Sequence, residues 1–157
     1  SCYVWDSFFE KELIKNGIYH IQTGARQILP RYSDNGKRYR KISHYTGEKN
    51  ELGQVYTVRN CEYEPSLSGN LNYHVNRCIE SIEHSFAANS AAIISSHRFN
   101  FINSVNYGNG ERGLQGLKTV MDWVMKNHPN VEFLTSDEYG RILLNDCVKI
   151  VGDIYYE

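Results

Sequence analysis

Along this chain, short apolar runs alternate with stretches whose hydrophobic residues recur at helical spacing. This alternation predicts strands and helices in succession. The clearest strand is the apolar run at residues 91–96, which is too short for a helix and lies between two helical patterns. The apolar stripes of those helices are Val75, Cys78, Ile79, Ile82 and Phe86 on one side, and Leu114, Leu117, Val120, Met121, Val124 and Met125 on the other. Short strands between amphipathic helices are typical of a parallel sheet with crossover helices.

The same alternation continues towards both ends of the chain. Residues 3–5 predict the end of a strand, a helix follows that stops at Asn16-Gly17, and residues 18–21 predict the next strand. Residues 131–134 predict a fourth strand. Thr135 and Glu138 fit a capping box, which predicts a helix from there through Leu144. Residues 148–156 predict a further strand. The predicted fold class is therefore α/β with parallel strands, either a small open sheet or part of a (β/α) barrel.

Residues 25–73 interrupt this regular pattern. The segment contains Pro30 and Pro65 and is rich in tyrosine. Residues favourable to strands at 39–45 and 54–59 flank the polar run Gly-Glu-Lys-Asn-Glu-Leu-Gly, which predicts a β-hairpin between those two stretches. We interpret residues 25–73 as a tyrosine-rich insert with a β-hairpin, within a single domain that covers residues 1–157.

Composition excludes some classes of function. The 157 residues are 41% hydrophobic, enough for one core, and their formal net charge of −1 gives no electrostatic case for nucleic acid or an anionic membrane. No apolar run approaches the roughly 20 residues that a membrane helix needs. The four cysteines have neither C-x-x-C nor zinc-type spacing, which favours isolated thiols over disulfides.

The polar residues that follow the central strand locate a candidate site. His97 and Arg98 end the apolar run, and the carboxyl ends of parallel strands form the crevice of α/β proteins. A histidine there is suited to proton transfer near neutral pH, although the same residue also closes strands by simple hydrogen bonding. The planar fork of Arg98 is able to clamp a carboxylate or a pair of hydroxyls, or only to pair with a nearby acid.

Several segments in the same order resemble the carboxyl-terminal part of the polysaccharide deacetylase family, the (β/α) barrels similar to chitooligosaccharide deacetylases. These segments are Cys2-Tyr3-Val4-Trp5-Asp6, Ala92-Ile93-Ile94-Ser95-Ser96-His97-Arg98-Phe99-Asn100-Phe101-Ile102, Gly113-Leu114, and the stretch from His128-Pro129 to Asp137-Glu138. The resemblance covers about two thirds of the chain and implies a partial (β/α) barrel that acts on the acetyl groups of a glycan. It also implies that His97 is the proton donor.

Three other residues become candidates alongside His97. Asp6 follows the first predicted strand and is able to support His97 or a substrate hydroxyl, although an aspartate at a helix start is already explained as an N-cap. Trp5 and Tyr45, together with Arg98, are the predicted substrate-binding residues, because aromatic faces stack on sugar rings. The alternative is that these aromatic rings only fill a thin core.

Members of the family hold a divalent, zinc-like metal ion through one aspartate and two histidines, and the metal polarises the acetyl carbonyl and activates water. The Asp-Asp and His-x-x-x-His motifs of that centre have no counterpart here, so we expect no metal ligands and no cofactor in this chain. Either the chain is the carboxyl-terminal portion of a larger barrel, or it is a variant that lost the ligands. Its opening directly on a strand, without methionine, favours the first explanation.

The expected function is therefore that of a carbohydrate-active protein similar to polysaccharide deacetylases, a metal-dependent hydrolase only where the missing amino-terminal half is present. We expect this chain alone to be inactive on acetylated glycans. The expected partners are a polysaccharide or oligosaccharide, and the missing half or a second copy, because a half barrel exposes sheet edges. The resemblance suggests the periplasm or cell envelope. The alternatives are a non-catalytic glycan-binding β/α domain and a small doubly wound protein unrelated to glycans.

Overall fold

The computed structural model of the protein describes residues 3–33, 36–67, 69–104 and 107–153, with the side chains of all of these except 31–33, 36–38 and 146–153. The elements in this part of the chain are α1 (Phe8–Lys15), β1 (His20–Thr23), β2 (Arg26–Ser33), β3 (Gly36–Ser43), β4 (Val55–Val58), β5 (Cys61–Glu62), α2 (Leu71–Ala87), β6 (Ile94–Ser95), a 3₁₀ turn (Arg98–Phe101), α3 (Asn109–Asn127) and α4 (Ser136–Asp153). The chain divides into two compact units, residues 1–58 with 133–157, and residues 59–132. Helices combine with small parallel sheets, so the protein is α/β.

The first unit contains a parallel pair of strands and a long hairpin. β1 pairs with β4 in parallel, from His20 opposite Val55 to Thr23 opposite Val58. β2 and β3 form an antiparallel hairpin over eight residues each. The predicted hairpin between residues 39–45 and 54–59 is therefore wrong. The two-residue connection between β2 and β3 closes a shorter loop than the seven-residue run before β4, which favours the pairing observed.

Polar side chains fill much of the interior of the first unit. The Glu10 carboxylate is buried and accepts hydrogen bonds from the Trp5 indole at 2.9 Å, the Tyr56 hydroxyl at 2.7 Å and the Asn50 amide at 3.0 Å. Burial and the hydrogen bond to Glu10 raise the pKa of Tyr56, so its hydroxyl keeps its proton. Because a buried polar group without a partner is costly, this network holds α1 to β4.

A second set of hydrogen bonds fixes the base of the hairpin in the same unit. The buried Gln27 amide donates to the Trp5 carbonyl oxygen at 3.0 Å, and its own oxygen lies 2.9 Å from His44 Nε2. The other ring nitrogen of His44 lies 2.9 Å from a Glu48 carboxylate oxygen, and the ring stacks on Tyr56 with 4.1 Å between centroids. The root of the hairpin is thus anchored by side chains as well as by strand pairing.

The second unit has an apolar core between two helices and a short parallel pair of strands. The core side chains are Cys61, Tyr63, Val75, Cys78, Ile82, Val120 and Val124. This confirms that the apolar stripe of α2 faces inward, and most of the stripe of α3, whose Leu114 and Met125 are exposed instead. β5 pairs with β6 in parallel, with Cys61 opposite Ile94 and Glu62 opposite Ser95. Cys61 and Cys78 are free, buried thiols, as the spacing predicted, and burial raises the pKa of Cys78 to about 12. Cys2 and the side chain of Cys147 lie outside the described residues.

The carboxyl-terminal elements differ from the prediction in two places. Residues 131–134 form no strand, and residues 148–153 belong to α4 rather than to a strand. The predicted capping box is present, since the Glu138 carboxylate accepts the Thr135 N–H at 2.7 Å and the Thr135 hydroxyl accepts the Glu138 N–H at 3.2 Å. The helix α4 runs through the β-branched residues of this stretch, and through Gly140 and Gly152, to Asp153. Continuation of a capped helix therefore outweighs the local preference for a strand. No described helix has both the length and the apolar character to cross a bilayer.

His20 gives the first unit a predictable pH dependence. Burial lowers its pKa from 6.5, against a smaller opposing effect of Asp137, and its Nε2 lies 2.7 Å from the Thr57 hydroxyl. Below pH 6.5 the unfolded chain binds a proton that the folded chain resists, so stability falls as the pH decreases from 6.5 through the lower folded pKa. We expect His20→Gln to reduce this loss, measured by urea denaturation between pH 8 and pH 5. An unchanged pH profile in the variant would contradict the prediction.

Candidate functional site

An exposed histidine held by a buried carboxylate forms the candidate site of the second unit. His97 directly follows β6 and the neighbouring Ser96, and its Nδ1 lies 2.6 Å from Glu64 Oε1. The same oxygen accepts the backbone N–H of His97 at 3.0 Å. The His97 side chain is 62% exposed while that of Glu64 is 3% exposed. The imidazole is therefore fixed at one nitrogen and open to solvent on the rest of its ring.

Asn100 fixes the orientation of that carboxylate from the opposite side. It is fully buried, and its amide nitrogen donates to Glu64 Oε2 at 2.6 Å and to the Ser96 hydroxyl at 3.0 Å. The amide oxygen of Asn100 accepts the backbone N–H of Ser66 at 3.1 Å. Both oxygens of Glu64 thus act as acceptors, so the proton of the pair lies on His97 Nδ1 and leaves Nε2 as the exposed nitrogen.

The strand pairing explains why these residues meet. The Tyr63 N–H donates to the Ser95 carbonyl at 2.8 Å, which extends the β5–β6 ladder by one residue and sets Glu64 beside the end of β6. The 3₁₀ turn then brings Asn100 back over the carboxylate, with its N–H bonded to the His97 carbonyl at 3.0 Å. Parallel strands end at the same edge of a sheet, so the position predicted for His97 at that edge is confirmed.

The geometry suits proton transfer. A histidine whose Nδ1 is held by a carboxylate keeps one tautomer and presents Nε2 to whatever occupies the neighbouring space. Two serines complete the support around the pair by bonding to Asn100. Ser66 does so through its backbone N–H, and Ser96 through its hydroxyl. The site is thus able to donate or accept a proton at a fixed position.

The structure places the other predicted site residues in different surroundings. Asp6 belongs to the first unit, where its carboxylate accepts the N–H of Phe8 at 2.9 Å as a helix cap. Trp5 lies in the same unit, half-buried, with its indole bonded to Glu10 and stacked near His44. For these two residues the structural interpretation is the one observed, and their predicted roles towards a substrate stay predictions.

Arg98 and Tyr45 are better placed to meet a ligand. Arg98 is exposed at the start of the 3₁₀ turn, next to His97, and makes no hydrogen bond or ion pair that involves the described residues. Tyr45 is among the most exposed aromatic side chains of the first unit. Its backbone N–H and carbonyl both bond to Glu48, and its side chain makes no hydrogen bond that involves the described residues. Both are free to bind, and neither is needed for packing.

Sequence reasoning missed Glu64 and Asn100, although one signal was present. Glu64 lies just after Cys61–Glu62, a strand too short to recognise from its pattern, and Pro65 follows it as a strand stop. An acid after one strand and a histidine after the next are the expected ends of neighbouring parallel strands. The signal was hidden inside the segment that we had interpreted as an insert.

The described residues do not form the metal centre that the resemblance implies. In the ranges that the structure describes, no three histidine, cysteine, aspartate or glutamate side chains gather closely enough to hold a metal ion. His97 and Glu64 are bonded to each other rather than arranged around a common point.

The fold and site together define an α/β protein with a histidine oriented by a buried carboxylate at the ends of two parallel strands. No family model, no curated protein and no solved structure matches this chain.

Proposed function

We propose that the protein is a carbohydrate-active hydrolase similar to polysaccharide deacetylases, in which His97 transfers a proton during hydrolysis of an acetyl group on a glycan. The observation that carries the proposal is the exposed His97 imidazole whose Nδ1 is held by buried Glu64. The acetylated glycan and the parent (β/α) barrel come from the sequence resemblance alone, since the described strands form three separate two-stranded sheets.

The chemistry proposed for the chain's own residues is limited to proton transfer and positioning. When water adds to an acetyl carbonyl, the leaving oxygen or nitrogen must gain a proton before it departs as a neutral alcohol or amine. His97 Nε2 takes a proton from the attacking water and then gives it to the leaving atom, and the Glu64 carboxylate stabilises the imidazolium that exists between the two transfers. Arg98, exposed beside His97, is the residue that we propose to hold a polar group of the sugar.

An activated ester tests His97 without the rest of the proposed machinery. Aryl esters such as p-nitrophenyl acetate react with imidazole directly, whereas an acetamide needs electrophilic activation that the described residues do not supply. We expect the chain to hydrolyse p-nitrophenyl acetate slowly, and His97→Gln to lower that rate by about tenfold. The measurement is nitrophenolate release between pH 6 and pH 8.

The matched control is another exposed histidine of the same unit. His84 lies on α2, is exposed, and its side chain has no partner in the described part of the chain. We expect His84→Gln to leave the rate unchanged. Equal losses in the two variants would indicate ordinary surface imidazoles and would contradict the proposed role of His97.

A non-catalytic glycan-binding domain is the second candidate, and the exposed ring of Tyr45 favours it. Loss of oligosaccharide affinity in Tyr45→Ala, with full affinity and no hydrolysis in wild type and His97→Gln alike, would support this candidate. Trp5→Ala is the poorer probe, because it also removes a hydrogen bond to buried Glu10.

A further inference from the structure

The β2–β3 hairpin concentrates the positive charge of the chain. Residues 26–43 contain six basic residues and one acidic residue, which are Arg26, Arg31, Lys37, Arg38, Arg40, Lys41 and Asp34. Their formal charge is +5, so the remainder of a chain with net charge −1 carries −6. The near-neutral net charge of the whole chain therefore results from a strongly basic hairpin and an acidic remainder. It does not exclude binding of an anionic ligand to the hairpin.

The described part of the hairpin presents cations beside an aromatic ring. In the antiparallel register Ile28 lies opposite Lys41 and Pro30 opposite Tyr39. Side chains of directly opposed residues share a face, and successive residues of that face along a strand are roughly 7 Å apart. Tyr39 is 59% exposed and Lys41 is exposed beside it.

Three described cations of the hairpin are not used to hold the protein together. The side chains of Arg26, Arg40 and Lys41 are exposed and make no hydrogen bond or ion pair that involves the described residues. Surface cations in ordinary proteins are usually interspersed with acids, whereas this segment has one acid to six bases. Like charges so close together repel one another, and an anionic ligand would relieve that repulsion.

We propose that the β2–β3 hairpin binds an acidic polysaccharide, with Tyr39 against the face of a sugar ring and Lys41 and Arg26 on the carboxylates of the polymer. Arg26 lies opposite Ser43 and is exposed, so it shares the face of Tyr39 and Lys41. The choice of a sugar polymer rests on the proposed function. It is also favoured by the position of Lys41 next to Tyr39 on one face of the strand, because a uronic acid bears its carboxylate on the stacked ring itself. In a nucleotide, the sugar separates the phosphate from the base that stacks.

Binding to polygalacturonate tests this proposal on the full chain. We expect wild type to bind polygalacturonate, to bind its methyl-esterified form far more weakly, and to lose affinity as salt is raised. Arg26→Glu with Lys41→Glu should weaken binding by about tenfold or more, and Tyr39→Ala by about fivefold. Arg26→Gln with Lys41→Gln repeats the test without charge reversal, in case the glutamates disturb the strands.

The control keeps the same change in net charge but moves it away from the hairpin. Lys11 on α1 and Lys126 on α3 are exposed and have no partner in the described ranges, so Lys11→Glu with Lys126→Glu should leave affinity unchanged. If both double variants lost the same affinity, the effect would depend on net charge alone, and the proposal would be overturned. Tighter binding of single-stranded RNA than of polygalacturonate, through the same residues, would also overturn it.

Failure of this proposal is distinguishable from failure of the proposed function. His97→Gln should bind polygalacturonate as wild type does, and the hairpin variants should hydrolyse p-nitrophenyl acetate as wild type does. Binding without any His97-dependent hydrolysis would remove the proposed catalytic function and leave the hairpin site. Hydrolysis that depends on His97, in a chain that does not bind polygalacturonate, would remove the hairpin site alone.

Discussion

Replacing Gly113 by alanine is expected to unfold the second unit or to lower its free energy of unfolding by at least about 3 kcal/mol. A Cβ atom at this position would overlap the Asn100 carbonyl oxygen and would lie 2.9 Å from its carbonyl carbon. Both are backbone atoms, so no flexible side chain is able to move aside. The helix α3 and the 3₁₀ turn would have to separate, and Asn100 would move away from Glu64.

Urea denaturation followed by circular dichroism measures this effect. Gly69→Ala is the control, because a Cβ there meets no atom within 4 Å and the backbone is not in the left-handed region. We expect the Gly69 variant to be as stable as wild type. A Gly113 variant of wild-type stability would contradict the close packing of α3 on the turn.

The second large effect separates the stability and the chemistry of the His97–Glu64 pair. Glu64→Ala should lower the free energy of unfolding by about 3 kcal/mol, because it leaves the His97 N–H without its acceptor and opens a cavity under buried Asn100. His97→Ala should cost only about 1 kcal/mol, because the ring is mostly exposed and the carboxylate keeps its other donors.

The two variants should nevertheless behave alike in the ester assay. One loses the group that carries the proton, and the other loses the group that fixes and stabilises it, so each should lower the rate of p-nitrophenyl acetate hydrolysis by about tenfold. Urea denaturation and the assay at a temperature where both variants are folded give the two readouts. A Glu64→Ala variant that is folded and fully active would remove Glu64 from the proposed site.

Long periodic segments were predicted well because their pattern reports burial directly. The stripe on α2 places Val75, Cys78 and Ile82 in the core, where the spacing put them. His97 was located because an apolar strand between two helices ends there. In each case one continuous stretch of sequence carries the whole signal.

Pairing and partners were predicted poorly because they depend on segments distant in sequence. The hairpin was assigned to the wrong two stretches, since strand-favouring residues occur in 26–33, 36–43 and 55–58 alike and periodicity does not choose among them. Glu64 was missed because only the parallel pairing of β5 with β6 brings it to His97, 33 positions along the chain. The helix α4 overrode a β-branched stretch, because a firm cap at Thr135 outweighs local strand preference.

The polar interior of the first unit restricts which substitutions this sequence is able to accept during evolution. Gln27 bonds to both the Trp5 carbonyl and His44. Leucine in place of Gln27 would therefore leave a His44 ring nitrogen and the Trp5 carbonyl without hydrogen-bond partners. An apolar core tolerates single substitutions by side chains of similar volume. The polar interior of the first unit instead requires simultaneous substitutions that restore the lost hydrogen bonds. Descendants of this chain should therefore inherit Gln27 and His44 as a pair or lose them as a pair.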